Sequence, residues 1–178
     1  MILRKQKLTF NTVCVCIVFL MAACGSKNNT ANFMYQNSFD NYKDFGFDHS
    51  TLRSGNAHSG EWYCELDSIN QFSISYSKKI KDLPVKNAKK IKLSAWLYLP
   101  TFNSKANLVM TIGEPGKEAA VWNGLNTEDL VDVEKKWTQV SGEFNLSENM
   151  NPEHILMVYV WNHGKEKVWC DDLAFDFE

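Results

Sequence analysis

The strongest constraint on the fold of this chain is an alternation of apolar and polar side chains with a period of two. In the clearest run, residues 91–99, every second residue is apolar, namely Ile91, Leu93, Ala95, Leu97 and Leu99. Successive side chains of a β-strand point to opposite faces, so this run predicts a strand with one buried face.

The same alternation recurs along the chain. It appears in residues 61–67, 71–77, 108–112, 138–146, 155–162 and 167–177, and turn-forming residues separate the runs. The last two runs flank Asn162-His163-Gly164-Lys165, which predicts a hairpin. Only residues 127–133 favour a short helix. Many short strands at this spacing predict an all-β sandwich or barrel.

The N-terminus has a different pattern. Arg4, Lys5 and Lys7 precede an apolar run over residues 8–20, and Met21-Ala22-Ala23-Cys24 follows. Small residues directly before a cysteine resemble the lipobox of bacterial lipoprotein signals. The resemblance implies cleavage before Cys24, lipid on its thiol, and a membrane-anchored lipoprotein at the periplasmic or outer-membrane surface. An ordinary secretory signal or a short transmembrane anchor is the alternative, although a span needs roughly 20 apolar residues.

These patterns divide the chain into three parts. Residues 1–23 are the predicted lipoprotein signal peptide, residues 24–36 are the lipidated cysteine and a polar, flexible tether, and residues 37–178 are one β-domain. Without the signal, the chain has 16 Lys and Arg residues and 21 Asp and Glu residues, which gives a net charge of −5. No block of like charge remains, so the composition argues against nucleic-acid binding. We expect contact with the lipid bilayer through the N-terminal lipid only.

Cysteine usage agrees with export. Cys14 and Cys16 leave with the signal and Cys24 is lipidated, so only Cys64 and Cys170 remain in the domain. Two cysteines in an oxidising compartment favour a disulfide. Two buried free thiols are the alternative.

Five short motifs are spaced along the predicted domain. They are Phe39-Asp40, the segment 55–60 with Ala57-His58-Ser59-Gly60, the strand at 92–98, the segment 137–141, and the closing Val168-Trp169-Cys170-Asp171-Asp172-Leu173. Together they resemble the carbohydrate-binding modules of families 4, 9 and 22. The resemblance covers residues 37–178 and implies a galactose-binding-like jelly-roll β-sandwich that binds a polysaccharide or glycan. It also implies that the strands of Cys64 and Cys170 lie close together in one sheet.

The adjacent carboxylates of Asp171 and Asp172 lie within an apolar run. In a regular strand they point to opposite faces, so one approaches the core unless a bulge intervenes. A charge near a core needs a partner or a metal. The resemblance implies a structural calcium beside the terminal strand, with Asp40 and Asp171 as candidate ligands. A solvent-exposed acidic pair is the alternative, and His58 is expected to be a packed, hydrogen-bonded structural residue.

The aromatic residues give the candidate binding site. In the alternating run, Trp96 and Tyr98 occupy the positions that point away from its apolar face, and Tyr159 and Trp161 do the same in their run. We call this position in the alternation the parity of a residue. If these strands share a sheet, all four rings face outward together, and Trp122, in a segment predicted to be irregular, forms a wall. Flat aromatic rings stack on the apolar faces of sugars. A core wider than the alternation suggests is the alternative.

No catalytic motif occurs in the sequence. It contains no Gly-x-Ser-x-Gly, no His-Glu-x-x-His and no phosphate-binding loop. The sequence therefore predicts a non-catalytic, glycan-binding lipoprotein of the bacterial cell envelope. A protein-interaction or structural module with the same sandwich and, less favoured, a glycoside hydrolase are the alternatives.

Overall fold

The computed structural model describes residues 34–41, 50–85 and 88–178. By its internal contacts the chain divides into two units, 1–30 and 31–178, and every described residue belongs to the second. The predicted signal peptide, Cys24 and the predicted tether up to residue 33 therefore lie outside the described residues. Within the described part, no helix has the length and apolar character to cross a membrane.

The described residues form two antiparallel sheets packed as a sandwich, which confirms the predicted all-β fold class. The strands are β1 (Met34–Asn37), β2 (Leu52–Ser54), β3 (Trp62–Leu66), β4 (Tyr76–Lys79), β5 (Lys90–Tyr98), β6 (Ala106–Gly113), β7 (Val121–Asn126), β8 (Trp137–Asn145), β9 (Ile155–Asn162) and β10 (Val168–Phe177). The six-stranded sheet has the order β2-β3-β10-β5-β8, with β1 also paired to β10, and the four-stranded sheet has the order β4-β9-β6-β7. The chain passes repeatedly between the two sheets, as in a jelly roll.

The core lies between the sheets and follows the alternation seen in the sequence. On β5, Leu93 and Leu97 are fully buried, and on β6 and β9 the same holds for Leu108 and Val158. Burial of one face of each strand is the main stabilising contribution in such a sandwich. The opposite faces of both sheets point away from this core, and they carry the candidate sites.

The predicted hairpin between the last two strands is wrong. β9 pairs with β4 and β6, whereas β10 pairs with β1, β3 and β5 in the other sheet. The buried Asn162 shapes the connecting turn, because its Nδ2 donates to the Glu166 carbonyl and its Oδ1 accepts from the Gly164 N–H. The alternation is the same in a hairpin and in a connection between sheets, so it does not separate the two.

Two boundaries also differ from the sequence prediction. Residues 34–36, assigned to the tether, belong to β1, which pairs from Met34 opposite Asp176 to Asn37 opposite Leu173. The Tyr35 ring stacks on Phe175 at a centroid distance of 5.1 Å. The folded domain therefore includes residues before position 37. The short helix predicted at 127–133 is a turn, in which the N–H groups of Leu130 and Val131 donate to the Thr127 carbonyl.

Candidate functional site

The two sheets separate the aromatic residues that the sequence placed on one face. Trp96 and Tyr98 lie on β5 in the six-stranded sheet, whereas Tyr159 and Trp161 lie on β9 in the four-stranded sheet. All four have the outward parity that was predicted, but they occupy opposite sides of the sandwich. Parity decides whether a side chain faces the core, and it carries no information about which sheet a strand joins.

On the six-stranded sheet the outward aromatics pack mainly on one another. Trp169, Tyr98 and Trp137 are direct partners across β10, β5 and β8. Tyr98 stacks on Trp169 at 4.3 Å and meets the edge of Trp137 at 5.7 Å. The indole N–H of Trp169 donates to Glu65, and that of Trp137 donates to the carbonyl of Asn56. Tyr98 is therefore part of a self-contained aromatic cluster.

Trp96, the next outward residue along β5, is covered by a histidine. The His58 ring stacks on it at 3.6 Å and 13°. His58 Nδ1 lies 2.6 Å from Asp172 Oδ2, which fixes the imidazole in place. His58 is thus packed and hydrogen-bonded, as expected, and it occupies one face of the Trp96 ring.

Asp171 and Asp172 sit at a bulge in β10, where the register with β5 shifts between Asp171 and Ala174 and Asp172 has a φ of +46°. Asp171 is fully buried, and its carboxylate accepts hydrogen bonds from the backbone N–H groups of His58, Ser59 and Asp172 at 2.7–3.0 Å. Burial raises the pKa of Asp171 to about 6, although the N–H donors oppose that shift. The bulge lets both carboxylates reach the 55–60 segment.

The two candidate calcium ligands are hydrogen-bonded to neighbouring groups in the described part of the chain. Asp40 accepts from the N–H groups of Glu61 and Trp62, and these bonds lower its pKa. Asp40 Oδ2 also accepts from the Ser38 hydroxyl, and both oxygens of Asp171 accept from backbone N–H groups, so these carboxylates have partners other than a cation. A structural calcium beside the terminal strand stays a prediction. No cluster of three or more His, Cys, Asp or Glu side chains suited to a metal occurs in the described part of the chain.

Cys64 and Cys170 lie directly opposite each other on β3 and β10. The two strands are neighbours in one sheet, as the resemblance implied, and both side chains are buried. Both cysteines are free thiols in the structure, so the predicted disulfide is not formed in it. The Thr51 hydroxyl donates to Cys64 Sγ at 3.8 Å.

The outer face of the four-stranded sheet carries an open group of rings, which we call the aromatic surface: Phe72, Trp122, Tyr159 and Trp161. Phe72 is 53% exposed and Trp122 is 49% exposed. The rings of Phe72 and Trp161 are nearly parallel, at 11°, with centroids 6.3 Å apart. Trp122 stands across Trp161 at 89° and 6.4 Å. The surface therefore combines two rings of one orientation with a third at a right angle.

A glycine positions Trp122. The sequence predicted an irregular segment here, but Trp122 lies on β7, the edge strand paired with β6. Gly124 follows two residues later on the same face, and a Cβ at that position would come within 2.3 Å of Trp122 Cη2. The missing side chain lets the indole ring lie along its own strand toward Gly124.

Two polar atoms of this face lack partners. Asn107 on β6 is the direct partner of Trp161 on β9. Asn107 Oδ1 and Trp161 Nε1 are both buried and have no hydrogen-bond partner among the described residues. An unsatisfied buried donor or acceptor costs about 1–3 kcal/mol. A hydrogen-bond acceptor and a donor on adjacent strands thus remain unsatisfied beside exposed aromatic rings.

Phe72 is the functional candidate that sequence reasoning missed. The alternation in 71–77 assigned Phe72 to the same face as Ile74 and Tyr76. Residues 71–75 are not a regular strand, since only an isolated bridge joins Phe72 to Trp161. Ser73 holds this segment through its N–H and Oγ, which bond the backbone of Val160. Phe72 therefore points outward while Ile74 is buried, and no sequence signal marks this break.

Comparison with known proteins gives structural neighbours only. No family model and no curated protein matches the chain. The C-terminal family 22 carbohydrate-binding module of Clostridium thermocellum Xyn10B is 8% identical, with 80% of this chain and 91% of that one covered and a TM-score of 0.49. The CBM22-2 xylan-binding domain of Paenibacillus barcinonensis Xyn10C is 9% identical, with 81% and 99% covered and a TM-score of 0.47. A family 16 carbohydrate-binding module is 13% identical, with 74% and 87% covered and a TM-score of 0.47.

Proposed function

We propose that this domain is a non-catalytic glycan-binding module that uses the aromatic surface of the four-stranded sheet. The observation that carries the proposal is the exposure of Phe72 and Trp122 beside Trp161, with one ring perpendicular to the other two. Sugar rings present apolar faces that stack on such rings, and small-ligand sites combine apolar walls with a few polar groups. The unpaired oxygen of Asn107 and the unpaired indole N–H of Trp161 suit the hydroxyl groups of a sugar.

The composition of the same face supports binding without catalysis. The three cross-strand rows that carry its rings contain no acidic residue: Ser77, Met157, Thr111 and Trp122; Tyr159, Val109 and Gly124; Trp161, Asn107 and Asn126. Glycoside hydrolysis generally uses a pair of carboxylates at the scissile bond. These rows provide hydroxyl, amide and aromatic groups instead.

Gel retardation in a panel of soluble polysaccharides tests the proposal. At least one polysaccharide is expected to slow the wild-type protein, and Trp122→Ala and Phe72→Ala are each expected to reduce the retardation about tenfold, since stacked aromatics dominate such contacts. Phe102→Ala is the matched control, because Phe102 is 63% exposed but lies in the turn between β5 and β6.

Retardation that is unchanged in both surface variants, with melting temperatures equal to that of the wild type, would remove the aromatic surface as the glycan site. If no polysaccharide is retarded and a stoichiometric protein is captured through Trp122 instead, the surface is a protein-docking face. That outcome also replaces the proposed function.

We further propose that the domain is displayed on a bacterial membrane as a lipoprotein. The support is the sequence alone: Met21-Ala22-Ala23-Cys24 after a basic and then apolar N-terminus. Metabolic labelling with a fatty acid is expected to mark the wild-type chain and not Cys24→Ala. Equal labelling of both chains would contradict lipidation at Cys24, and the glycan proposal does not depend on the result.

A further inference from the structure

A groove of about 280 Å³ lies on the opposite side of the sandwich from the aromatic surface. It crosses the outer face of the six-stranded sheet, over β10, β5 and β8, and Met34 of β1 borders one end. The groove is thus separated from the aromatic surface by the whole core, and neither Trp122 nor Phe72 contributes to it.

The floor of the groove consists of small side chains. Ala174, Ser94 and Ser141 are direct partners across β10, β5 and β8 and form one continuous row. Side chains this short let a ligand approach the strands closely. The two serine hydroxyls both donate and accept hydrogen bonds, so the floor offers polar contacts to a neutral, hydroxylated molecule.

The two sides of the groove carry longer polar groups. Asp176 and Lys92 are direct partners in the next row on one side, and Gln139 lines the other. Asp176 Oδ1 is buried and has no hydrogen-bond partner among the described residues. Asp176 and Lys92 do not form an ion pair with each other in the structure, and the Asp176 oxygen without a partner reaches a ligand when its carboxylate rotates toward the groove.

We propose that this groove is a second ligand site, which binds a single hydroxyl-rich sugar unit. A sugar hydroxyl donates to Asp176 Oδ1, a neighbouring oxygen accepts from Lys92, and the amide of Gln139 bonds the other edge of the ring. Lys92 offsets the charge of Asp176, and Glu143, the partner of Lys92 on β8, is offset by its ion pair with Lys90. The site therefore carries no net charge, which favours an uncharged sugar over an anion. The volume approaches the lower limit of small-molecule pockets, roughly 300 Å³, and suits a small ligand rather than a long chain.

Ligand-observed saturation-transfer NMR with free D-glucose, D-galactose and D-mannose tests this site. The purified full chain carrying Trp122→Ala is used, so that the aromatic surface is weakened and the groove is intact. At least one monosaccharide is expected to show saturation transfer. Adding Asp176→Ala is expected to lower its affinity about tenfold or more, as for loss of a hydrogen bond to a charged group.

Two further variants make the result specific. Ser141→Phe fills the groove from the exposed edge strand β8 and is expected to abolish the signal even if Asp176→Ala folds poorly. Glu114→Ala removes an exposed carboxylate that pairs with Lys117 in the β6–β7 turn, and it is expected to change nothing. Absence of saturation transfer in the Trp122→Ala chain, or full retention of the signal in Ser141→Phe, would overturn the second site. Polysaccharide retardation depends on Trp122 and tests the proposed function separately.

Discussion

At the scale of single residues, Asp40 and Asp171, near the beginning and the end of the described domain, act as hydrogen-bond acceptors for residues 58–62. Asp40 accepts from the N–H groups of Glu61 and Trp62, and Asp171 accepts from those of His58 and Ser59. A buried carboxylate is tolerated only when such partners offset its desolvation. These bonds therefore join the segment before β3 to both the beginning and the end of the domain.

Asp171→Asn tests this arrangement. An amide NH2 group would replace one oxygen that now faces backbone N–H groups, leaving donors opposite donors. We expect a loss of about 1–3 kcal/mol in the free energy of unfolding, measured with urea. Asp67→Asn is the control, because Asp67 accepts two backbone N–H bonds in an exposed turn, and its cost is expected to be within about 0.5 kcal/mol. Equal losses in the two variants would contradict the role of burial.

Asp171→Asn also tests how the stability of the protein depends on pH. Burial raises the pKa of Asp171 from its ordinary 3.8 to about 6. Between about pH 4 and pH 6 the folded state therefore binds this proton more readily than the unfolded state, and the stability contribution of Asp171 falls as the pH rises. The stability advantage of the wild type over Asp171→Asn should shrink across this range and stay constant above it. An advantage that grows from pH 4 to pH 6 would show that the pKa is lowered instead.

Cys64 and Cys170 are placed to form a disulfide, although the structure contains them as free thiols. Opposed residues of antiparallel strands have Cα atoms about 4.5 or 5.5 Å apart, within the roughly 4.4–6.8 Å range of disulfides. In a chain whose Cys14, Cys16 and Cys24 are replaced by Ser, we expect a mild thiol oxidant to remove two hydrogen atoms, detected by intact-mass spectrometry, with the melting temperature raised or unchanged. Cys64→Ala should lose none. Formation of reagent adducts without the loss of two hydrogens would rule out the bond.

At the scale of strands, the alternation predicts where most strands lie in the sequence, but it does not predict which strands pair with each other in a sheet. It located β5, β8, β9 and β10 to within a residue or two, because each has one buried face. It placed β9 and β10 in a hairpin, and it overlooked β1 and β2, which have only four and three residues. Sheet membership depends on which strands hydrogen-bond, and that information is not present in the periodicity of a single strand.

The aromatic surface was only partly predictable for the same reason. Tyr159 and Trp161 were identified from parity, and Trp122 was selected although its segment was expected to be irregular. Phe72 was not found, since its outward direction comes from the broken strand at 71–75. Trp96 and Tyr98 have the right parity, but their rings are engaged by His58 and Trp169. Exposure of an outward ring is decided by its neighbours across the sheet.

Gly124→Ala tests how β7 builds the surface. The new Cβ would lie within 2.3 Å of Trp122 Cη2, and the ring must move because its far end is the part that clashes. Polysaccharide retardation is expected to fall nearly as far as in Trp122→Ala, while the melting temperature changes little. Gly116→Ala is the control, as no atom lies within 4 Å of its Cβ position, although its φ of +73° makes the backbone strained. Wild-type retardation in Gly124→Ala would show that the ring position is not required.

At the scale of the whole molecule, the sandwich separates stability from the proposed binding. The interior strands β5 and β10 of one sheet and β6 and β9 of the other supply most of the fully buried side chains. The aromatic surface draws Trp122 from the edge strand β7 and Phe72 from an irregular segment. Edge strands and irregular segments have fewer backbone partners and open more readily than central strands.

Hydrogen exchange measured by mass spectrometry should therefore show two levels of protection. Amides of β5 and β10 are expected to exchange slowest, and those of β7 and residues 71–75 are expected to exchange faster than the central strands of both sheets. A polysaccharide that binds the aromatic surface stabilises the closed form of its site by mass action, so it should slow exchange in β7 and around Phe72 and leave β5 unchanged. Trp122→Ala should abolish this local protection, and Phe102→Ala should retain it. Protection that appears in β5 and β10 without β7 would place the polysaccharide on the six-stranded sheet and not on the aromatic surface.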